Sequence, residues 1–321
     1  MKECFLIKTI NHCLSTTAKK IIDVLLASGI ETYLVGGFVR DCLLKKISND
    51  YDIEVVNVSF EKLLKVLEGY DLKTNLKFKS VKIDNVEISL ARIENKIGMG
   101  YDDYNLSFVD VSLEQAVVRR DFSINSIIYD CKNDIIIDYY NGIDDLNNKI
   151  IRAIDYDNFT SDSSRILRML DFQSRFNFKI DKTTYDLAKQ KSNDINELEC
   201  WLTNKYFENI ICNDYFDVEV FCDVLSNYFN LKYVNGISVL KKLDNKDKKE
   251  YLILFCSLFF LFNDTLDFDD YKMVLVKKEK NRKIIQLIIE DIKNNEDISS
   301  EKVIKKYNNQ CYLLKKVKKY F

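Results

Sequence analysis

The stretch from Tyr33 to Val56, YLVGGFVRDCLLKKISNDYDIEVV, leaves few folds open. Tyr33, Leu34 and Val35 form a short apolar run that reads as a strand. Gly36 and Gly37 turn the chain, and Phe38 to Lys45 then carry helical spacing. After a polar turn at Ser48-Asn49, the segment Asp50-Tyr51-Asp52-Ile53-Glu54-Val55-Val56 alternates acidic with apolar residues. Alternate residues of a strand share a face, so Asp50, Asp52 and Glu54 are expected on one side and Ile53 and Val55 towards the core. Neighbouring carboxylates resist shared ionisation unless a cation lies between them, and hard oxygen donors suit Mg²⁺. Paired glycines let backbone N–H groups approach an anion at a helix start. A phosphate cradle beside a divalent-metal site points to nucleotide chemistry.

The spaced pattern GG-x-V-R-D followed by D-x-D resembles the catalytic core of the DNA polymerase β nucleotidyltransferase superfamily. More narrowly, it is similar to the class II tRNA CCA-adding enzymes and bacterial poly(A) polymerases. In detail the resemblance covers residues 30–180. It implies an α+β fold: a nucleotidyltransferase head with a mixed sheet and helices, then an all-helical neck and body. The expected boundaries are 1–148 for the head, 149–213 for a nucleobase-binding neck and 214–321 for an RNA-binding body.

Further motifs follow in order. In KFKSVKIDNVEISLAR, residues 77–92, Asp84-Asn85 marks a turn between two alternating strands. Val86, Ile88 and Leu90 then face one way and Glu87 the other, which makes Glu87 either a third carboxylate from a neighbouring strand or an ordinary exposed acid. Residues 93–108 are polar, carry Gly98 and Gly100, and read as a mobile connector where the family has a flexible loop. Arg119-Arg120-Asp121-Phe122 with Asn125 matches the family's RRDF-x-x-N block, with Ser126 in place of a usual Ala. Guanidiniums and an amide can hold a triphosphate and a ribose, and Asp121 could steady one arginine.

Asp162, Arg165 and Arg168 recur every three residues, which places them on one helical face. They resemble the family's E-D-x-x-R base-reading motif, with Ser161 for its Glu. The Watson–Crick edges of cytosine and adenine both offer an amino donor beside a ring-nitrogen acceptor. A carboxylate accepts only and a guanidinium donates only, so Asp162 with Arg165 would fit C and A and reject U and G. The bland alternative is a surface i, i+3 ion pair.

The formal charge of −2 gives no bulk attraction for nucleic acid, so RNA contact needs a local basic patch. Lys277, Lys278, Lys280, Arg282 and Lys283, with Lys315, Lys316, Lys318 and Lys319, are candidates. Nine scattered cysteines without C-x-x-C fit reduced thiols in a cytoplasmic protein, and one histidine excludes a His-based metal site. Leu252–Phe262 is the most apolar run, too short to span a membrane, and reads as a buried helix. Helices are also expected over 1–32, 57–70, 182–191, 197–212, 215–228, 236–243, 248–263, 268–275, 277–293 and 300–319.

The resemblance implies template-independent transfer from CTP and ATP to a tRNA 3′ end. Asp50 and Asp52, with Glu87 as a third acid, would hold two Mg²⁺ ions about 3.5–4 Å apart. Gly36, Gly37, Arg40 and Asp41 would flank the phosphates, Arg119, Arg120, Asp121 and Asn125 would place triphosphate and sugar, and Asp162, Arg165 and Arg168 would meet the base. No membrane or obligate protein partner is implied. A poly(A) polymerase, a split CC- or A-adding enzyme, and a non-catalytic RNA-binding relative remain open.

Overall fold

The computed structural model describes residues 10–98, 103–230, 235–243, 247–263, 266–294 and 311–320. The start of the expected N-terminal helix, Cys4, Gly100 and the first half of the expected helix 300–319 lie outside them. The chain forms two compact units, the first ending at Ser161 and the second beginning at Asp162.

The first unit is built on a mixed seven-stranded sheet. Its strands are β1 (Glu31–Val35), β2 (Tyr51–Val56), β3 (Lys73–Asn75), β4 (Ser80–Ile83), β5 (Val86–Leu90), β8 (Ile128–Asp130) and β9 (Ile135–Ile137), in the order β3-β4-β5-β2-β1-β8-β9. Only β2 and β5 run parallel among these neighbours. Leu34, Ile53, Val81 and Ile88 are buried and lie in register on one face. Helices α1 (Thr16–Ala27) and α2 (Gly37–Leu43) pack on the sheet, and the Phe38 and Tyr51 rings meet at 4.8 Å. A shorter helix, α3 (Phe60–Val66), buries Phe60 and Leu63.

Three expectations change here. The N-terminal helix begins afresh at Thr16, because Ser15 caps it by accepting from the Ala18 N–H. The polar stretch 93–108 is not a bare connector. It folds into a hairpin of β6 (Ile93–Lys96) and β7 (Tyr104–Ser107), with Lys96 over the Tyr104 ring. β2 starts at Tyr51, so Asp50 lies just ahead of the strand rather than within it. With no proline and few glycines, left-handed turn positions fall to Asn, Asp and Lys, as at Asn57, Asp84, Asn141 and Asn177. Asn and Asp tolerate that region better than other L-residues.

The second unit is helical. Helix α7 (Ser164–Phe176), named after α4 (Leu113–Val118), α5 (Gly142–Asn148) and α6 (Tyr156–Thr160), packs on α9 (Cys200–Cys212). Asn213 fastens this pair by donating to Asp171 and to Ser174 Oγ. Between them in the chain lies α8 (Lys182–Lys191), as its spacing predicted. After α10 (Val218–Val224) and α11 (Ile237–Leu240) comes α12 (Lys248–Phe262), buried along its length from Tyr251 to Leu261. Its Phe255 and Phe259 rings stack at 5.7 Å and meet Phe216, Phe221 and Phe229 edge-on. Such tilted aromatic contacts are favoured by the ring quadrupole. No helix among the described residues is long and apolar enough to cross a membrane.

Candidate functional site

Register carries the acids together. Asp52 on β2 lies opposite Glu87 on β5, and Val35, at the end of β1, lies opposite Asp52 on its other side. Glu87 is exposed, Asp52 partly buried, and Asp50 exposed at the mouth of the strand. Burial pushes the Asp52 carboxyl above its ordinary range; Arg120 opposes that rise, while Asp50 and Glu87 add to it. The turn after β1 is moulded around this acid. Gly36 has φ +72°, and a Cβ there would stand 2.9 Å from Asp52 Oδ2 and 3.0 Å from Arg120 Nη1. Glycine is required both for that backbone and for that space.

The same face holds Glu54, two residues beyond Asp52. Val35, Val56, Ala91 and Ile128 pack with Val111, Leu113, Ala116 and Val117 into an apolar cluster that closes this end of the face. Glu54 has no solvent exposure, and its Oε2 accepts from Arg119 Nη2 at 2.6 Å and Arg120 Nη2 at 3.1 Å. Burial alone would raise its carboxyl, but Arg119 and Arg120 hold it below the usual range. Asp52 and Glu54 thus share a face as expected, but they stand in different surroundings. Asp52 opens to the mouth, and Glu54 is sealed behind it by two arginines.

The remaining head residues form a second network. Arg40 is turned inward: its Nε donates to Asp41 Oδ1 at 2.9 Å and its Nη1 to Asn125 Oδ1 at 2.5 Å. Asn125 in turn donates to Asp121 Oδ1, which also accepts the Phe122 N–H. These bonds tie α2 to the 3₁₀ turn Ser123–Asn125. Ser123 donates to the buried Asp145 of α5, and a Cβ on Gly142 would collide with the Ser123 carbonyl. Ser126 is accommodated because its hydroxyl donates to the Ser123 carbonyl. Gly37 packs against the Arg40 guanidinium.

In the second unit Asp162 precedes α7 instead of lying on it, correcting the expected helical face. Its Oδ1 accepts the Ser164 N–H, and its Oδ2 lies 4.0 Å from Arg165 Nε. The pair is not on the surface, since the Arg165 side chain is 8% exposed and that of Asp162 18%. Arg168 lies over the Phe172 ring at 5.5 Å. Among the candidate RNA-binding cations, Arg282 instead donates to the carbonyls of Val276 and Lys277 at the end of α13 (Phe268–Leu275). Lys283 pairs with Glu279 on α14 (Glu279–Lys293), and Lys316 of α15 (Cys311–Tyr320) pairs with Glu250. Lys277, Lys278, Lys280, Lys315 and Lys319 are exposed.

Sequence reasoning missed the ion pairs of Glu54. Its alternation placed it on the acidic face, but nothing nearby in sequence signals partners that lie more than sixty residues away. Arg92 pairs with Glu94 at 2.7 Å near the same cluster.

The site's surroundings match known proteins. Residues 32–152 match the Poly A polymerase head domain. A CCA-adding enzyme of Buchnera aphidicola subsp. Schizaphis graminum is 32% identical over 301 residues, covering 82% of this chain and 72% of that one. The chain belongs to the CCA-adding enzyme family. A Staphylococcus epidermidis member is 33% identical over 196 residues, 59% of this chain and 48% of its own. The chain thus spans about half the length, or less, of several curated members it matches. A solved CCA-adding enzyme with CTP shares the fold, with a TM-score of 0.67 at 19% identity over 98% of this chain and 82% of its own.

Proposed function

We propose that this family member adds CCA, or part of it, to tRNA 3′ ends from CTP and ATP without a nucleic-acid template, in a cytoplasmic setting. The observation that carries the reading is Asp52 in register with Glu87, at the Gly36 turn and in front of the Arg119–Arg120 pair. Mg²⁺ fits this donor set: Asp52 is an acid whose burial and acidic neighbours disfavour its charge until a cation arrives. Among the described residues no three His, Cys, Asp or Glu side chains are already gathered as a metal site. Asp50 and Asp52 would therefore hold Mg²⁺ with substrate oxygens and water completing the shell, as Mg²⁺ commonly allows. Held by these carboxylates, Mg²⁺ would supply positive charge to the RNA 3′-hydroxyl and the triphosphate.

The chain's own residues do the rest. Arg119 and Arg120 supply cationic donors to the triphosphate. The network of Arg40, Asp41, Asn125 and Asp121 holds the turn that faces the sugar. Asp162 accepts from the amino group of C or A, and Arg165 donates to the adjacent ring nitrogen. The burial of this pair supports a base-reading role over a surface ion pair. The exposed Lys277, Lys278 and Lys280 are available to an RNA backbone.

The test is a Mg²⁺-dependent extension assay on tRNAs ending before CCA, after C and after CC, with each nucleotide offered separately. CTP incorporation on the first two substrates and ATP on the third would support the reading. A long A tail would make the protein a poly(A) polymerase, and transfer of C only or of A only a split enzyme. No extension of any substrate would overturn it.

A further inference from the structure

Glu54 is a buried charge to which the proposed reaction gives no task. It sits on the same strand face as Asp52, and both of its described ion pairs run through one oxygen, Oε2. Its other oxygen, Oε1, has no hydrogen-bond partner among the described residues. Two guanidiniums share Oε2, and Asp52 and Glu94 are the further acids near them. Arg120 reaches from there to the mouth of the site: its Nη2 meets Glu54, while its Nη1 lies beside the Gly36 turn, which Asp52 Oδ2 also borders. A free arginine side chain samples many rotamers, and a fixed anchor at one amino group removes most of them.

We propose that Glu54 is a positioning residue that anchors Arg119 and Arg120 so that their shared positive charge meets the nucleotide's phosphates beside Gly36 and Asp52. The inference rests on the nucleotidyl-transfer reading above. It also makes a prediction that electrostatics alone reverses. Removing a carboxylate near a bound anion should, by charge alone, tighten phosphate binding. Removing an anchor should loosen it.

The experiment compares the full-length protein with Glu54→Gln and Glu54→Asp. Inorganic tripolyphosphate is titrated into each in Mg²⁺ buffer by calorimetry, in parallel with KM for CTP and kcat on tRNA ending before CCA. Thermal melting checks that each variant folds. The anchor predicts that Glu54→Gln binds tripolyphosphate about tenfold or more weakly and raises KM for CTP by a similar factor, with kcat changed by less than about threefold. Glu54→Asp, which keeps the charge, should recover part of the binding. Equal or tighter tripolyphosphate binding by Glu54→Gln, with KM unchanged, would overturn the proposal. Should Glu54→Gln not fold, Glu54→Asp decides: its shorter reach should weaken binding several-fold, and wild-type affinity would overturn the anchor. Wild-type protein that binds tripolyphosphate but extends no RNA would sink the functional reading instead, leaving the ratio of affinities to judge Glu54.

Discussion

In the first unit charged groups pair out of solvent: Arg40 with Asp41, and Glu54 with Arg119 and Arg120. In the helical unit most ion pairs stand in solvent, as do Lys182–Asp186, Lys189–Asp223 and Lys283–Glu279, while the interior is stacked with aromatic rings. Arg165 beside Asp162 departs from that rule. Buried ion pairs are weak contributors to stability, because desolvation offsets their attraction. An aromatic core has no such offset and stabilises directly. On the proposed reading, the contrast separates residues kept for folding from residues held for chemistry, and puts Arg165 with the second group.

The sharpest way to break the comparison is Asp52→Asn. Extension should fall by about a thousandfold or more, while melting temperature holds or rises because a repelled, partly buried carboxylate is gone. Loss of both together would place Asp52 among the folding residues. Phe255→Ala probes the other side. Emptying that stack should lower unfolding free energy by about 3–5 kcal/mol, read by urea denaturation. A loss below about 1 kcal/mol would show that the aromatic core is not what holds the helices.

Gly36→Ala lies between the two. Its left-handed backbone and the missing space beside Asp52 and Arg120 should destabilise by about 1–3 kcal/mol and depress extension further than stability explains. Unchanged kinetics in a folded variant would mean that the turn does not shape the site.

The smallest effect belongs to a surface pair. Burial raises the Asp223 carboxyl, but hydrogen bonds from Lys189 and Tyr185 outweigh it and hold the group below its ordinary value. Its stabilisation is present above the unfolded value of about 3.9 and is lost as pH falls through the lower folded value. Because the pair is half exposed, Asp223→Asn should cost under about 1 kcal/mol at neutral pH. That gap should close on acidification below the ordinary carboxylate range, and a constant gap across a pH series of melting curves would contradict the assignment.

What was legible in the sequence was local. The Tyr33–Val56 pattern gave strand, turn, helix and strand, and Asp84-Asn85 marked its hairpin turn with Asp84 at φ 51°. Helices 182–191 and 268–275 fall where their spacing put them. What escaped depended on distant partners or weak patterning. In the β6–β7 hairpin, Ile-Glu-Asn-Lys lacks apolar alternation, and Tyr-Asn-Leu-Ser alternates over only four half-buried or exposed residues. Asp162 was read into a helix because three-residue spacing cannot distinguish a first turn from a residue just ahead of it. Arg282 looked like a free cation because carbonyls that it meets are invisible in a charge pattern.

The most direct measurement of the central claim is to sequence the RNA 3′ ends after incubating CCA-less tRNA with all four nucleotides at equal concentration and Mg²⁺. The account predicts ends of C, CC and CCA with little beyond, and a rise in U and G incorporation when Arg165→Ala replaces the wild type. Ends of mixed sequence or long A tracts from the wild-type protein would contradict it.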